Sequence, residues 1–192
     1  MQLILASSSP YRKELLDRLA IAYQIAHPNI DETAQPGENA YALVKRLALC
    51  KAQAVAEKFN NALIIGCDQV ATFNEHILGK PKDHADAVRQ LRLLSNQSVV
   101  FLSALCLYNS LNKLHQLDVV PFCIDFRKLS DSQIENYLRK DKPYHCAASI
   151  KSERLGIALF AKTQSDDATS ILGLPLIRLV EMLRNEGVDV LG

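Results

Sequence analysis

Apolar residues fall along the chain in short runs that alternate with helical stripes. The run at 2–6 predicts a strand, and the spacing after Pro10 predicts a helix over about 10–19. Residues 21–30 read as extended, and a long helical pattern runs from about Ala40 to Phe59. "ALIIGCD" at 62–68 is a short apolar strand ending on an acid, and "VATFNEHILGKP" at 70–81 reads as a hairpin turning at Asn74-Glu75. A helix over about 83–94 follows, then two long strands at about 98–108 and 114–126, paired through "NSLNK". "LSDSQIENYLRK" carries a capping box, with Ser130 as N-cap and Gln133 at N3. An extended stretch at 155–162 and a helix from Pro175 to Glu186, with Gly187 as its C′ residue, end the pattern. Strand–helix alternation together with long antiparallel pairs predicts an α/β fold with a mixed sheet. The pattern has no repeat and no long linker, so one domain is expected over 1–192.

Composition narrows the function classes. Of the 192 residues, 48% are hydrophobic, enough for a sizeable core. A net charge of +1 argues against a nucleic-acid or membrane-surface partner, but leaves room for a local basic pocket. No apolar run reaches membrane-spanning length and "LILA" is too short for a leader, so a soluble cytoplasmic protein is expected. Cys50, Cys67, Cys106, Cys123 and Cys146 lie far apart without CxxC spacing, which predicts buried free thiols rather than disulfides or a zinc site. The histidines are scattered, and His145 beside Cys146 is the one doublet.

Chemistry concentrates at a few joints. In "LILASSSPYRKELL", Ser9 suits an N-cap and Pro10 suits N1, so the first helical turn presents unpaired backbone N–H groups. Ser7, Ser8 and Arg12 add donors, which fits either a phosphate site or an ordinary capped helix start. Leu43, Leu47, Cys50 and Ala54 form the apolar stripe of the second helix, with Lys51 beside it. Such a lysine either snorkels to solvent or turns into a polar pocket to pair with an anion. Asp68 follows an apolar strand, where open α/β sheets place ligand-binding residues. Glu32 in "NIDET", Lys80 in "LGKP" and Glu153 in "KSERLG" are each, alone, as compatible with solvated loop charges. GxxxxGK[ST], GxGxxG and GxSxG do not occur.

The order of the motifs goes further. "LASSSPYR", "DET", "RLALCKA", "GCDQV", "GKP", "CAASIKSERLG" and "ILGLPL" together resemble the Maf family of nucleotide pyrophosphatases over essentially the whole chain. The resemblance implies a Maf/Ham1-like fold, an elongated mixed sheet flanked by helices with two lobes around a cleft. It implies a hydrolase of acid anhydrides that splits nucleoside triphosphates between the α and β phosphates. Ser7, Arg12, Glu32, Lys51, Asp68 and Lys80 match the family's working positions. Ser7, Arg12, Lys51 and Lys80 would bind phosphate, and Glu32 and Asp68 would hold Mg2+ or Mn2+, with Asp68 as proton acceptor.

Three positions separate the family's branches, and here they carry Tyr11, Gln69 and Glu153. Relatives resembling dTTP/UTP pyrophosphatases have arginine, threonine and glutamine there. The trio in this chain is similar to the YceF-like branch that acts on 7-methyl-GTP, although tryptophan is frequent where Tyr11 stands. A methylated, cationic guanine suits an aromatic face, worth about 0.5–2 kcal/mol, and a buried glutamate would accept from its N–H groups. Two alternatives stay open: a broader pyrophosphatase for modified nucleotides or dTTP/UTP, and a nucleotide-binding regulator of cell division. The expected partner is a small nucleotide, with neither nucleic acid nor membrane, and a homodimer is a family-level expectation.

Overall fold

A computed structural model describes residues 1–74 and 76–192. Its elements are β1 (Gln2–Ala6), α1 (Pro10–Asp17), β2 (Gln24–Ala26), α2 (Ala40–Ala56), β3 (Ala62–Phe73) and β4 (His76–Leu78). There follow α3 (His84–Leu94), β5 (Ser98–Asn109), β6 (His115–Phe126), α4 (Asp131–Asp141), β7 (Phe160–Gln164) and α5 (Leu176–Asn185). The strands form one mixed sheet in the order β2-β1-β3-β5-β6-β7, with β4 paired to β3. β1 pairs in parallel with both neighbours, Ile4 standing opposite Gln24 on one side and Ile64 on the other. β4 on β3 and β7 on β6 are antiparallel.

The chain divides into two compact units, residues 1–69, 103–120 and 167–192 in the first and 70–102 and 121–166 in the second. In the first unit, Leu5, Ile65 and Leu105 of the sheet bury against Leu15 of α1 and Leu179 and Leu183 of α5. β3 alternates, so Ile65 and Cys67 enter that core while Gly66 faces α2. A Cβ on Gly66 would lie 2.1 Å from the Ala48 carbonyl oxygen and 2.9 Å from Ala52 Cβ. Glycine there lets α2 lie directly on β3. In the second unit, α3 packs on α4, burying Leu91, Leu94, Ile134 and Leu138.

The expected elements are present with shifted ends. β3 runs on to Phe73, and α1 and α2 stop at Asp17 and Ala56. The capping box of α4 forms, the Ser130 hydroxyl accepting from Gln133 N and the Gln133 side chain from Ser130 N. Gly187 takes φ 78° just past α5. In the hairpin turn, Asn74 has φ 47° and Glu75 lies outside the described residues. The expected extended stretch at 155–162 is different: Leu155–Leu159 winds into a 3-10 helix and extension starts only at Phe160. Gly156 N donates to the Lys151 carbonyl at 3.1 Å, and a Cβ there would sit 2.3 Å from that oxygen. That return fold winds an apolar run that composition alone reads as strand.

Candidate functional site

The joint between β1 and α1 forms as its residue types require. Ser9 is extended at φ −73° and its hydroxyl accepts from Arg12 N at 3.4 Å, with Pro10 opening the helix. The buried Ser7 hydroxyl accepts from Ser9 N at 3.1 Å and from the Arg12 guanidinium at 3.5 Å. Arg12 Nε donates to the Gly173 carbonyl at 2.9 Å. Gly173 has φ 86°, and a Cβ on it would approach Arg12 Nε to 3.2 Å, so this turn suits glycine on two counts. Tyr11 stands next to Arg12 at the start of α1 and is 36% exposed.

Across β3 from its core face, Lys51 and Asp68 meet. Lys51 is only 6% exposed, so the lysine beside the apolar stripe does not snorkel. Its ammonium donates to Asp68 Oδ1 at 2.7 Å and lies 2.9 Å from Glu32 Oε1. Burial raises the Asp68 pKa above the ordinary carboxylate value; the Lys51 and Arg12 charges oppose that shift and Glu32 adds to it. The loop carrying Glu32 is clamped by Arg46, whose fork donates to Glu38 Oε1 at 2.6 Å, Glu38 Oε2 at 2.7 Å and the Thr33 carbonyl at 3.0 Å. Two carboxylates therefore converge on one cationic point. These two carboxylates are the oxygen donors that could hold a divalent ion. Among the described residues no cluster of three or more metal-ligating side chains occurs.

Gln69 follows Asp68 and so turns to the opposite face of β3. Its amide Nε2 donates to Ser103 Oγ at 2.8 Å and lies 2.9 and 3.0 Å from the Ser170 and Ile171 carbonyls. Ser103 Oγ itself donates to the Ser170 carbonyl at 2.6 Å. Two carbonyls facing the amide fix which end is nitrogen.

In the second unit, Lys80 and Glu153 are both exposed, Glu153 on the turn at 152–154. The buried glutamate expected from the sequence is thus not found, Glu153 lying exposed on its turn. The loop before Lys80 is held through the Gly79 carbonyl, which accepts from Ala148 N at 3.2 Å and from the Gln90 amide at 3.3 Å. Lys80 and Glu153 both act electrostatically on the Cys146 thiol, whose pKa is raised mainly by burial.

Ser7, Arg12, Glu32, Lys51, Asp68 and Gln69 are brought together within the first unit, while Lys80 and Glu153 belong to the second. Gly173, Ser103 and Arg46 escape a sequence reading. "ILGLPL" and "RLALCKA" signal Gly173 and Arg46 only as parts of motifs, and nothing local marks Ser103. All five cysteines are free, as expected; Cys67 and Cys106 are buried and the other three half-buried. Burial holds the Cys67 thiol at a pKa of about 11 despite nearby Arg12 and Lys51, so it is unreactive packing beside Asp68.

The family profile described as "Maf-like protein" matches residues 2–186. A 7-methyl-GTP pyrophosphatase of Methylobacillus flagellatus is 59% identical over 189 residues, spanning 98% of each chain. A protein of the same name from Nitrosospira multiformis is 53% identical, over 98% of this chain and 96% of its own. Among solved structures, a HAM1 protein from Coxiella burnetii aligns with a TM-score of 0.49 and 18% identity, over 67% of this chain and 74% of that one.

Proposed function

This chain belongs to the Maf family, and we propose that it is a hydrolase that converts 7-methyl-GTP to 7-methyl-GMP and pyrophosphate. The observation that carries the chemistry is the buried Lys51 ammonium between Asp68 and Glu32, beside the Arg12 helix start. The names of relatives at 59% and 53% identity support the substrate.

A nucleoside triphosphate brings about four negative charges, and Arg12, Lys51, Ser7 and the positive end of the α1 dipole answer them. In the second unit, Lys80 is assigned to phosphate by its place in "GKP". Asp68, with a raised pKa, takes the proton of the attacking water as the α–β phosphoanhydride breaks and pyrophosphate leaves. Glu32 and Asp68 would hold a bound Mg2+ or Mn2+, which supplies positive charge against the phosphate oxygens. Tyr11 offers its ring to the cationic base, Gln69 offers Oε1 to a base N–H, and Glu153 offers a carboxylate to the guanine edge. Five free thiols suit a reducing compartment, which supports the reading of a cytoplasmic enzyme.

Product analysis tests the reaction. Purified protein with Mg2+ or Mn2+ should release pyrophosphate and 7-methyl-GMP in equal amounts. Release of inorganic phosphate with 7-methyl-GDP would contradict the assigned bond.

A further inference from the structure

We propose that Asp167 and Thr169 are positioning residues for Arg12, acting through the Gly173 carbonyl to set its grip on substrate phosphates. The proposal rests on the reading of Arg12 as a phosphate ligand.

Asp167 is 2% exposed, a costly place for a carboxylate. Its Oδ1 accepts from Thr169 N at 2.9 Å and from the Thr169 hydroxyl at 2.6 Å. Its Oδ2 accepts from Ile177 N at 2.7 Å, in the first turn of α5, where a negative charge is favoured. Its backbone carbonyl accepts from Ser170 N at 3.1 Å and from the Ser170 hydroxyl at 2.7 Å. The Thr169 hydroxyl in turn accepts from Leu176 N at 2.8 Å. Capping α5 needs one acceptor, which a serine would supply at less cost. The remaining bonds fix the loop from Thr169 to Leu176 instead.

That loop is where Arg12 is anchored. Gly173 N donates to the Ser170 carbonyl at 2.9 Å, which sets the turn, and the Gly173 carbonyl accepts Arg12 Nε at 2.9 Å. A guanidinium tied through Nε keeps both terminal nitrogens in a fixed fork, the geometry that grips phosphate from two sides. Without the Asp167–Thr169 contacts, Gly173 is free to drift, and Arg12 loses its fixed direction while keeping its charge.

A double-mutant cycle tests this on the full chain, read as affinity for an α,β-methylene nucleoside triphosphate by calorimetry. Thr169→Val should weaken binding about tenfold in wild-type protein, and Thr169→Ser should restore it. In an Arg12→Ala background Thr169→Val should add nothing. Wild-type affinity in Thr169→Val, or equal losses in both backgrounds, would overturn the proposal. If Thr169→Val melts early, Asp167→Asn carries the same cycle. Wild-type protein that binds the analogue but releases no pyrophosphate from 7-methyl-GTP sinks the proposed reaction and leaves the positioning result readable. Wild-type protein that does not bind the analogue overturns both.

Discussion

At the scale of single residues, the proposed chemistry turns on Asp68. Its place at the end of an apolar run was legible, because a carboxylate there must be paired or put to use. Its partner was not. Lys51 sits beside the helix stripe, and spacing alone allows it to reach solvent; the close seat of α2 on Gly66 decides the matter. Gln69 was legible only as a branch-marking position; it lies inside β3, and its bonds to Ser103 and the 170–171 carbonyls join positions far apart in sequence. Asp68→Asn should keep the fold and nucleotide binding while kcat falls at least about a hundredfold; turnover near that of wild type would remove Asp68 as the base. As the proposed base, the same residue should set the acid limb of the kcat/KM profile. Burial raises its pKa, so it stays protonated, and unable to take a proton, to higher pH than an ordinary carboxyl. The limb should therefore lie above the ordinary carboxylate range and vanish from the residual activity of Asp68→Asn.

At the scale of elements, hydrophobic periodicity located the strands and helices because each buries one face, and caps such as Ser9 and Ser130 marked where helices start. It failed at 155–159, where the return of Gly156 onto Lys151 overrides an apolar run. Two elements present the site and can be tested separately. Gly66→Ala places a methyl 2.1 Å from a backbone oxygen of α2, which must move away. It should cost about 3 kcal/mol, a fall in Tm of about 10 °C, and should impair turnover by parting Lys51 from Asp68. The Arg46–Glu38 clamp holds the loop of Glu32, and its hydrogen bonds depress the Glu38 pKa to about 2. A folded-state pKa below the unfolded one means that the clamp's contribution is present above the ordinary carboxylate value and is lost as pH falls toward about 2. Arg46→Met should lower kcat/KM about tenfold at neutral pH, and Arg46→Lys should restore only part, since lysine cannot hold both oxygens at once. Kinetics of the two variants check this.

At the scale of the whole molecule, the alternation of elements announced a mixed sheet, and a mixed sheet with parallel β1, β2 and β3 is present. Strand order is set by which backbones pair, so periodicity could not give it. Nor could it show that the candidate positions divide between two compact units, Lys80 and Glu153 lying in the second. Near-neutral charge left room for a local basic pocket, but Lys51 is paired there with Asp68 and Glu32, so the cluster these form with Arg12 is charge-balanced. The central claim is the choice of nucleotide, and it is tested by kcat/KM for 7-methyl-GTP, GTP, dTTP, UTP and CTP side by side with Mg2+ or Mn2+. An aromatic face, an amide acceptor and a carboxylate should favour 7-methyl-GTP over each of the others by at least about tenfold. Faster hydrolysis of dTTP or UTP than of 7-methyl-GTP would contradict it.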